Sequence, residues 1–191
     1  GIANHNNLKA GPFTELYAMP ACGDEGHAVG AAFAVSALLK GRAPKSVPAP
    51  ADASIPPVLP YAGLSYDRSA VEAALARHGL SYQWHDDDVL AYEIAALIAK
   101  GRTVGLLRGR SEMGPRALGH RSILADPRSP SMKDHLNAHV KFREAFRPYA
   151  PMVLAEHAKE IFDLVQPSPF MLFACDVRTP YQTLLPAITH V

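Results

Sequence analysis

The chain has 191 residues, 48% of them hydrophobic, and its 19 basic and 18 acidic residues leave a formal net charge of +1 at pH 7. This length and composition exclude a disordered chain and fit one domain, or one domain with part of another. No apolar run reaches the roughly 18 residues that a membrane-spanning helix needs, and the first residues lack the basic start and apolar core of a secretory signal, so we expect a cytoplasmic protein.

Both ends of the sequence are typical of internal segments. The chain has no initiating Met, GIANHNN predicts a Gly/Asn loop, and the final PAITHV predicts part of a strand. We therefore expect a piece of a longer protein. Cys22 and Cys175 form no CxxC pair, and we expect both to be reduced and buried.

The first strong helix prediction is residues 25–40, in which Gly26, Gly30 and Ala34 leave one smooth face at a four-residue spacing. Another backbone is expected to pack closely against that face. Asp24 is the predicted cap of this helix, and the loop PACGDEG before it can offer free N–H groups to a phosphate. A capping aspartate without any ligand is the alternative, with equal weight.

Residues 44–60 contain six prolines and no apolar periodicity, which predicts a linker or domain boundary. Beyond them, a capping box at Ser69–Glu72 predicts a short helix that ends at Gly79. LSYQWH then predicts a strand, and a second helix runs from the triplet Asp86–Asp88 to Lys100. The three aspartates suit a helix N-terminus electrostatically, and metal binding is the weaker alternative.

The following segments complete a mixed α/β pattern. RTVGLLRG predicts a buried strand that runs directly into an arginine-rich loop, and open α/β sheets bind ligands at such carboxyl ends of strands. SMKDHLNAHVKFRE predicts a helix capped by Ser131. YAPMVLA then predicts a strand, EHAKEIFDL a short helix and PFMLFACDV a further strand.

Basic residues are concentrated between Arg102 and Arg147, where ten Lys and Arg accompany four carboxylates, against nine basic and fourteen acidic residues elsewhere. Arginine presents a planar fork that suits phosphate or carboxylate oxygens, and glycine lets backbone N–H groups approach a ligand. The sequence therefore predicts a site for a compact anion. Solvated surface charge is the less favoured alternative, because among Lys141, Arg143 and Arg147 only Glu144 interrupts the basic residues.

Signatures of several other enzyme classes are absent. The sequence contains no GxxxxGK[ST], HExxH or GxSxG, so P-loop hydrolysis, zinc proteolysis and the α/β-hydrolase serine elbow are unsupported. His135 and His139 stand at i,i+4 on one predicted helix face. Because their neighbourhood is basic and no carboxylate lies usefully between them, a polar surface or a phosphate-donor role is favoured over metal binding.

The string GRSEMGPRALGHRSILADPR, followed by MKDHLNAHVKFREAFRPYAP, closely resembles the C-terminal domain of the NodU/O-carbamoyltransferase family. The similarity is distinctive over residues 101–151 and weaker at PFMLF and PAITHV. ANHNNLKAGPFTELYAMPACGDEGHAVGAA resembles the end of the preceding domain of that family. The resemblance implies an α/β protein with two parts. Residues 1–60 would be the last piece of a TsaD-like domain of actin/hexokinase (ASKHA) fold with a linker, and residues 61–191 a truncated YrdC-like mixed α/β domain.

The resemblance also implies a two-stage reaction. The YrdC-like domain would combine ATP, with Mg²⁺, and carbamoyl phosphate into carbamoyl adenylate, and the TsaD-like domain would pass the carbamoyl group to the hydroxyl of a small acceptor. Arg116, Lys141 and Arg147 match residues expected to hold carbamoyl phosphate and the nucleotide phosphates. Lys141 is the candidate for the reacting oxygens because its ammonium is a compact charge.

Four further positions have implied roles in nucleotide or metal binding. Arg121 and Arg143 are expected neighbours of the phosphate-binding residues. Asn4 matches an asparagine near the nucleotide, and Asp24 matches an aspartate that helps to bind a divalent metal such as Fe²⁺ beside the acceptor site. The histidines that complete this metal site and the Asn/Ser-bearing segment of the YrdC-like pocket are not in this sequence, so we expect the fragment alone to be inactive.

Two alternative functions remain at this point. A threonylcarbamoyl-type tRNA-modification enzyme would use the same folds, but GPRALGHRS is a carbamoyltransferase signature. A basic RNA-binding module is less favoured, because aromatic residues are not interleaved with the arginine cluster as stacking platforms would be.

Overall fold

The computed structural model describes residues 2–41 and 59–190. Most of the predicted proline-rich linker lies outside these residues. The described part confirms the mixed α/β class. Its helices are α1 (Ile2–Lys9), α2 (His27–Leu39), α3 (Arg68–Arg77), α4 (Asp87–Ala99), α5 (Met132–His135), α6 (Ala158–Ile161) and α7 (Thr179–Gln182), and its strands are β1 (Val104–Leu107) and β2 (Arg121–Leu124). Short 3₁₀ turns occupy Asp24–Gly26, Leu59–Tyr61 and Ala155–His157, and a π-helix, Leu136–Lys141, directly continues α5.

The predictions of α2, α3 and α4 are confirmed, but two predicted caps are wrong. Asp24 begins a 3₁₀ turn, and Gly26 takes the N-cap position of α2 without any side-chain hydrogen bond. The N-cap of α3 is Asp67, whose carboxylate accepts the N–H of Ala70 at 2.8 Å, and not Ser69. Because a carboxylate is a stronger acceptor than a hydroxyl, Asp67 takes the cap, and the hydroxyl of Ser69 donates to it.

Three other predictions are corrected. Residues 2–9 form α1 where the sequence predicted a loop. Gly26, at the N-cap of α2, lies against another backbone, since a Cβ there would be 2.1 Å from the carbonyl oxygen of Ala21, but the predicted packing face on α2 itself is not covered, because nothing described lies within 4 Å of a Cβ at Gly30 and Ala34 is exposed. Cys22 is exposed and Cys175 half-buried, and both are free.

Four predicted strands are absent from the described part of the chain. LSYQWH, YAPMVLA, PFMLFACDV and the final PAITHV have no ladder, and only Val177 forms an isolated antiparallel bridge, to Phe162. An extended segment becomes a strand only when its N–H and C=O groups pair repeatedly with a neighbour, and the described residues pair these segments at most at this single bridge, where the N–H of Asp163 also donates to the carbonyl of Asp176 at 2.9 Å.

The sheet is one antiparallel pair, in which Val104 opposes Leu124 and Leu107 opposes Arg121. The arginine loop, residues 108–120, therefore joins two antiparallel strands. The predicted position of the loop at the carboxyl end of a strand is confirmed, since the loop begins directly after Leu107, but the strand is not buried, because alternate residues of β1 are exposed, and the described sheet is an antiparallel pair and not an open α/β sheet. Pairing of β1 with β2 instead holds both ends of the loop together.

A small core packs the helical segment after the sheet against the end of the chain. Met132, Leu136 and Ala187 are buried together, and Ala125, Val140 and Tyr149 pack against them. Ala125 directly follows β2, and Val140 lies in the π-helix. The core thus joins the sheet that carries the arginine loop to the basic residues that follow the π-helix.

The hydroxyl of Tyr149 is buried in this core without a hydrogen-bond partner among the described residues. A buried unpaired hydroxyl costs about 1–3 kcal/mol, so we expect Tyr149→Phe to leave the free energy of unfolding unchanged or to raise it by about 1 kcal/mol. Urea unfolding checks this, with Tyr181→Phe as the control, because the hydroxyl of Tyr181 donates to Glu160. Tyr181→Phe should lower the free energy of unfolding, and a loss of similar or larger size in Tyr149→Phe would show that the Tyr149 hydroxyl has a partner.

Residues on the two sides of the predicted linker are in contact. Asn4 donates to the carbonyl of Leu172 at 3.0 Å, and the side-chain amide of Gln166 forms two hydrogen bonds with the backbone of Leu16, at 3.1 and 2.7 Å. Lys9 pairs with Asp163. These contacts seat the N-terminal segment on residues 163–172, while the division into two domains stays a prediction. Among the described residues, no helix has the length and hydropathy to cross a membrane.

Candidate functional site

The arginine loop is folded around the carboxylate of Glu112. One oxygen, Oε1, accepts the backbone N–H groups of Leu118, His120 and Arg121 at 2.7, 2.8 and 3.1 Å. Burial by itself would raise the pKa of Glu112, but these backbone donors outweigh burial and lower the pKa below its ordinary value. The carboxylate is therefore charged at neutral pH and fixes the returning half of the loop.

Arg121 holds the same loop from the other side. Its guanidinium donates to the carbonyl oxygens of Arg108 at 2.6 Å, His120 at 3.0 Å, and Leu64 and Gly109 at 3.2 Å each. Four acceptors occupy the planar fork, so the structure gives Arg121 a part in shaping the loop. The phosphate contact expected of this residue stays a prediction.

The segment 60–64 lies along the arginine loop and supports it. Gly63 donates to the carbonyl of Ser111 at 3.0 Å, and Ser111 donates back to Leu64 at 2.8 Å. The ring of Tyr61 stacks on His120 with centroids 3.9 Å apart, and its hydroxyl donates to the carbonyl of Leu118 at 3.0 Å. A second segment thus fixes the backbone of the loop from outside.

Gly114 places the arginine loop against the N-terminal segment. Its φ is +99°, and a Cβ there would lie 2.7 Å from the carbonyl oxygen of Pro20. Only glycine combines this left-handed backbone with so close an approach. The structure therefore brings the loop that carries Arg116 to the segment that leads into Asp24.

Arg116 lies at the exposed part of the loop. Residues 115–117 are exposed, and the Arg116 guanidinium forms no hydrogen bond or ion pair with another residue of the described chain. Its backbone position is set by Glu112, Arg121 and Tyr61, whereas its side chain is available. This combination suits a side chain that meets an anion.

The basic segment, residues 141–149, is organised by Asn137, which is only 1% exposed. Its side-chain amide donates to the carbonyls of Ala145 at 3.3 Å and Arg147 at 3.0 Å, and its Oδ1 accepts Nε of Arg143 at 2.8 Å. The guanidinium of Arg143 also lies over the ring of Tyr149, 4.6 Å from the centroid. One buried amide therefore fixes the curve of the whole segment.

The other two cations of this segment are exposed. Arg147 pairs with Glu144, with Nε 3.1 Å from Oε2, so this guanidinium has a competing carboxylate. Lys141 ends the π-helix, and its ammonium has no hydrogen-bond partner among the described residues. Lys141 is thus the cation of this segment that is best placed to accept a ligand.

The arginine loop and the basic segment lie near each other. A Cβ at Gly119, three residues after Arg116, would be 4.0 Å from Sδ of Met152, five residues after Arg147. Val140, just before the basic segment, and Tyr149, its last residue, pack on the same core as Ala125, which directly follows β2. The convergence of Arg116, Lys141 and Arg147 on one ligand stays a prediction, and these contacts support it.

Asn4 and Asp24 lie outside the arginine loop and the basic segment, and Asn4 donates to the carbonyl of Leu172 at 3.0 Å. The Asp24 carboxylate is fully exposed, with Oδ1 3.8 Å from Nδ1 of His27. His135 and His139 face each other, with ring centroids 5.1 Å apart. Within residues 2–41 and 59–190, no three His, Cys, Asp or Glu side chains form a cluster that could hold a metal, so these residues do not make a complete site for the implied ion.

Sequence reasoning missed Glu112, Tyr61 and Asn137. Glu112 had a signal, because it is the one carboxylate among the arginines and glycines of the loop. Asn137 lies in a helical stretch where an amide carries no specific pattern. Tyr61 follows the proline-rich stretch, and nothing in its neighbours indicates a contact with residues 118–120.

Comparison with known proteins shows the family of this chain. A family model described as the carbamoyltransferase C-terminus matches residues 95–191, which include the arginine loop and the basic segment. The chain belongs to the carbamoyltransferase C-terminus family. Curated relatives of this carbamoyltransferase segment confirm the resemblance seen in the sequence.

Three of these relatives are rhizobial proteins. Nodulation protein NolNO of Sinorhizobium fredii is 43% identical over 191 residues, covering 98% of this chain and 27% of the relative. Nodulation protein NolO of Bradyrhizobium diazoefficiens is 43% identical over 192 residues, covering 98% and 33%. Nodulation protein U of Sinorhizobium fredii is 39% identical over 183 residues, covering 96% and 29%. The carbamoyltransferase segment thus spans about a third of the length of the curated relatives that it matches.

Proposed function

We propose that this chain is the C-terminal part of an O-carbamoyltransferase, which forms carbamoyl adenylate from ATP and carbamoyl phosphate for transfer to the hydroxyl of a small acceptor. Membership of the carbamoyltransferase C-terminus family carries the proposal. Arg116 and Lys141, whose cationic groups bond to no other residue of the described chain, are held on a pre-formed loop and segment, and they support the proposal. Both reagents are anions, as such a site requires.

The reaction depends on positioned positive charges more than on covalent catalysis by a side chain. ATP and carbamoyl phosphate repel each other, and fixed cations both bring them together and stabilise charge that develops on phosphoryl oxygens. We assign Lys141 to the reacting oxygens and Arg116 and Arg147 to the phosphates, with Glu144 released from Arg147 when the ligand binds. Carbamoyl phosphate, ATP and one water give carbamoyl adenylate, phosphate and pyrophosphate.

The two-part architecture belongs to the same proposal. Residues 61–191 would be the YrdC-like part of the enzyme, and residues 1–60 the end of a TsaD-like domain of ASKHA fold, in a cytoplasmic protein. The approach of Gly114 to Pro20 supports transfer between the two parts, because it joins the loop of Arg116 to the segment before Asp24. Asp24 would supply one carboxylate to a metal whose other ligands lie elsewhere, Mg²⁺ would arrive with ATP, and no step is assigned to either ion.

The test is pyrophosphate release from ATP by the full-length protein. We expect release that requires carbamoyl phosphate and is accompanied by AMP once an acceptor or water takes the carbamoyl group. Release that is independent of carbamoyl phosphate would contradict the proposal. Release that requires L-threonine instead would favour the threonylcarbamoyl-type alternative.

A further inference from the structure

Phe142, between Lys141 and Arg143, has a strained backbone conformation. Its φ is +50° and its ψ is +55°, the left-handed helical region that a bulky side chain rarely adopts. It occupies the position after the π-helix where glycine normally accepts this conformation without strain. The N–H groups of Phe142 and Arg143 both donate to the carbonyl of Asn137, the latter at 2.9 Å, and this pattern holds the strained residue in place.

The side chain of Phe142 gives no compensating burial. It is 81% exposed, so its ring contributes little to the core. Glycine at this position would remove the strain and lose almost no packing. A strained residue without a packing role indicates a constraint other than stability, and such residues cluster at ligand sites.

The surroundings of Phe142 indicate which ligand this is. The residue before it, Lys141, has an ammonium that bonds to no described residue, while the residue after it, Arg143, is fixed by Asn137 and Tyr149. A flat apolar face beside a free cation matches a molecule that has an aromatic ring at one end and phosphates at the other. Base–aromatic stacking is a common source of nucleotide affinity, and it needs an exposed aromatic ring.

We propose that the ring of Phe142 is the platform on which the adenine base of ATP stacks, with the phosphates directed to Lys141. The inference rests on the proposed function, since it places the base of the same nucleotide. Phe142 would set the preference of the site for a nucleotide over a simple polyphosphate. Carbamoyl phosphate, which has no ring, would not depend on Phe142.

The test compares ATP with inorganic tripolyphosphate by isothermal titration calorimetry on the full-length protein at low ionic strength. We expect the wild type to bind ATP about tenfold more tightly than tripolyphosphate, a difference in the range of one stacked base. Phe142→Gly should lose this difference, with unchanged tripolyphosphate affinity, while its Tm rises by about 2–4 °C as the strain is removed. Phe142→Leu should lose the difference without the rise in Tm, and Phe142→Trp should retain it.

Phe146→Leu is the matched control, because Phe146 is 75% exposed in the same segment and is not strained. It should bind both ligands as the wild type does. If Phe142→Gly keeps the preference for ATP, or if the wild type binds ATP no more tightly than tripolyphosphate, the stacking role is wrong while the phosphate site stands. If the wild type binds neither ligand, the nucleotide site and this inference are both wrong.

Discussion

Lys141→Ala in the full-length protein is expected to lower carbamoyl phosphate-dependent pyrophosphate release about a hundredfold. Loss of one charge-assisted contact in a site that excludes water costs about 3 kcal/mol of transition-state stabilisation, which corresponds to a rate factor of this size. Lys141→Arg should restore only part of the rate, because a planar guanidinium cannot reproduce a compact ammonium. Initial rates at saturating ATP measure the effect.

The fold should not respond to this change. Lys141 is exposed and its ammonium bonds to no described residue, so the Tm of Lys141→Ala should equal that of the wild type. Lys159→Ala removes the same charge from another exposed position and should keep the full rate. A wild-type rate in Lys141→Ala would remove this residue from the site, and a lowered Tm would show that it has a structural role.

The sequence predicted the helices of this protein better than its strands, and the reason is physical. A helix satisfies its backbone within itself, so periodicity and end signals such as Gly79 and Gly101 locate it, and both glycines do have positive φ. A strand depends on a partner that local sequence does not name. LSYQWH therefore has the composition of a strand but no ladder in the described structure.

The sequence predicted the residue types of the candidate site, but it did not predict which arginine bonds to the backbone of the loop and which is available to a ligand. The density of arginine and glycine indicated an anion site, and the family match includes that region. Nothing in the sequence distinguishes Arg121, whose guanidinium donates to four carbonyls, from Arg116, whose guanidinium bonds to no described residue. That difference depends on the path of the backbone, which only the structure shows.

Glu112 is the residue that holds the backbone of the loop in the path that positions Arg116. Because Glu112 fixes the returning backbone, Glu112→Ala should free three N–H groups, let Arg116 move and lower kcat/KM for carbamoyl phosphate about a hundredfold. A displacement of about 1 Å in a positioned group can have an effect of this size. Glu112→Gln, which keeps an acceptor oxygen without the charge, should retain a larger share of the activity than Glu112→Ala.

The pH dependence of the free energy of unfolding measures how much the charge of Glu112 contributes to stability. Since its pKa is lowered in the folded protein from a reference of 4.5, its contribution is complete above about pH 4.5 and is lost as the pH falls through the folded pKa. The stability difference between wild type and Glu112→Gln, from urea unfolding, should therefore be constant near neutral pH and shrink below pH 4.5. A difference that does not change with pH would mean that the carboxylate charge has no part in holding the loop.

A double-mutant cycle with Arg116 distinguishes positioning from general destabilisation. If Glu112 acts by holding Arg116 in place, Arg116→Ala should lower kcat/KM strongly in the wild type and only about twofold in Glu112→Ala. Asp126→Asn is the matched control, because Asp126 is a buried carboxylate outside the loop that pairs with Arg128 and accepts its backbone N–H. This variant should lose stability yet leave the effect of Arg116→Ala unchanged. If the effects of the two substitutions on kcat/KM are fully additive, the positioning role is wrong. Once Glu112→Ala has moved Arg116 away from the ligand, removing the Arg116 side chain should have little further effect.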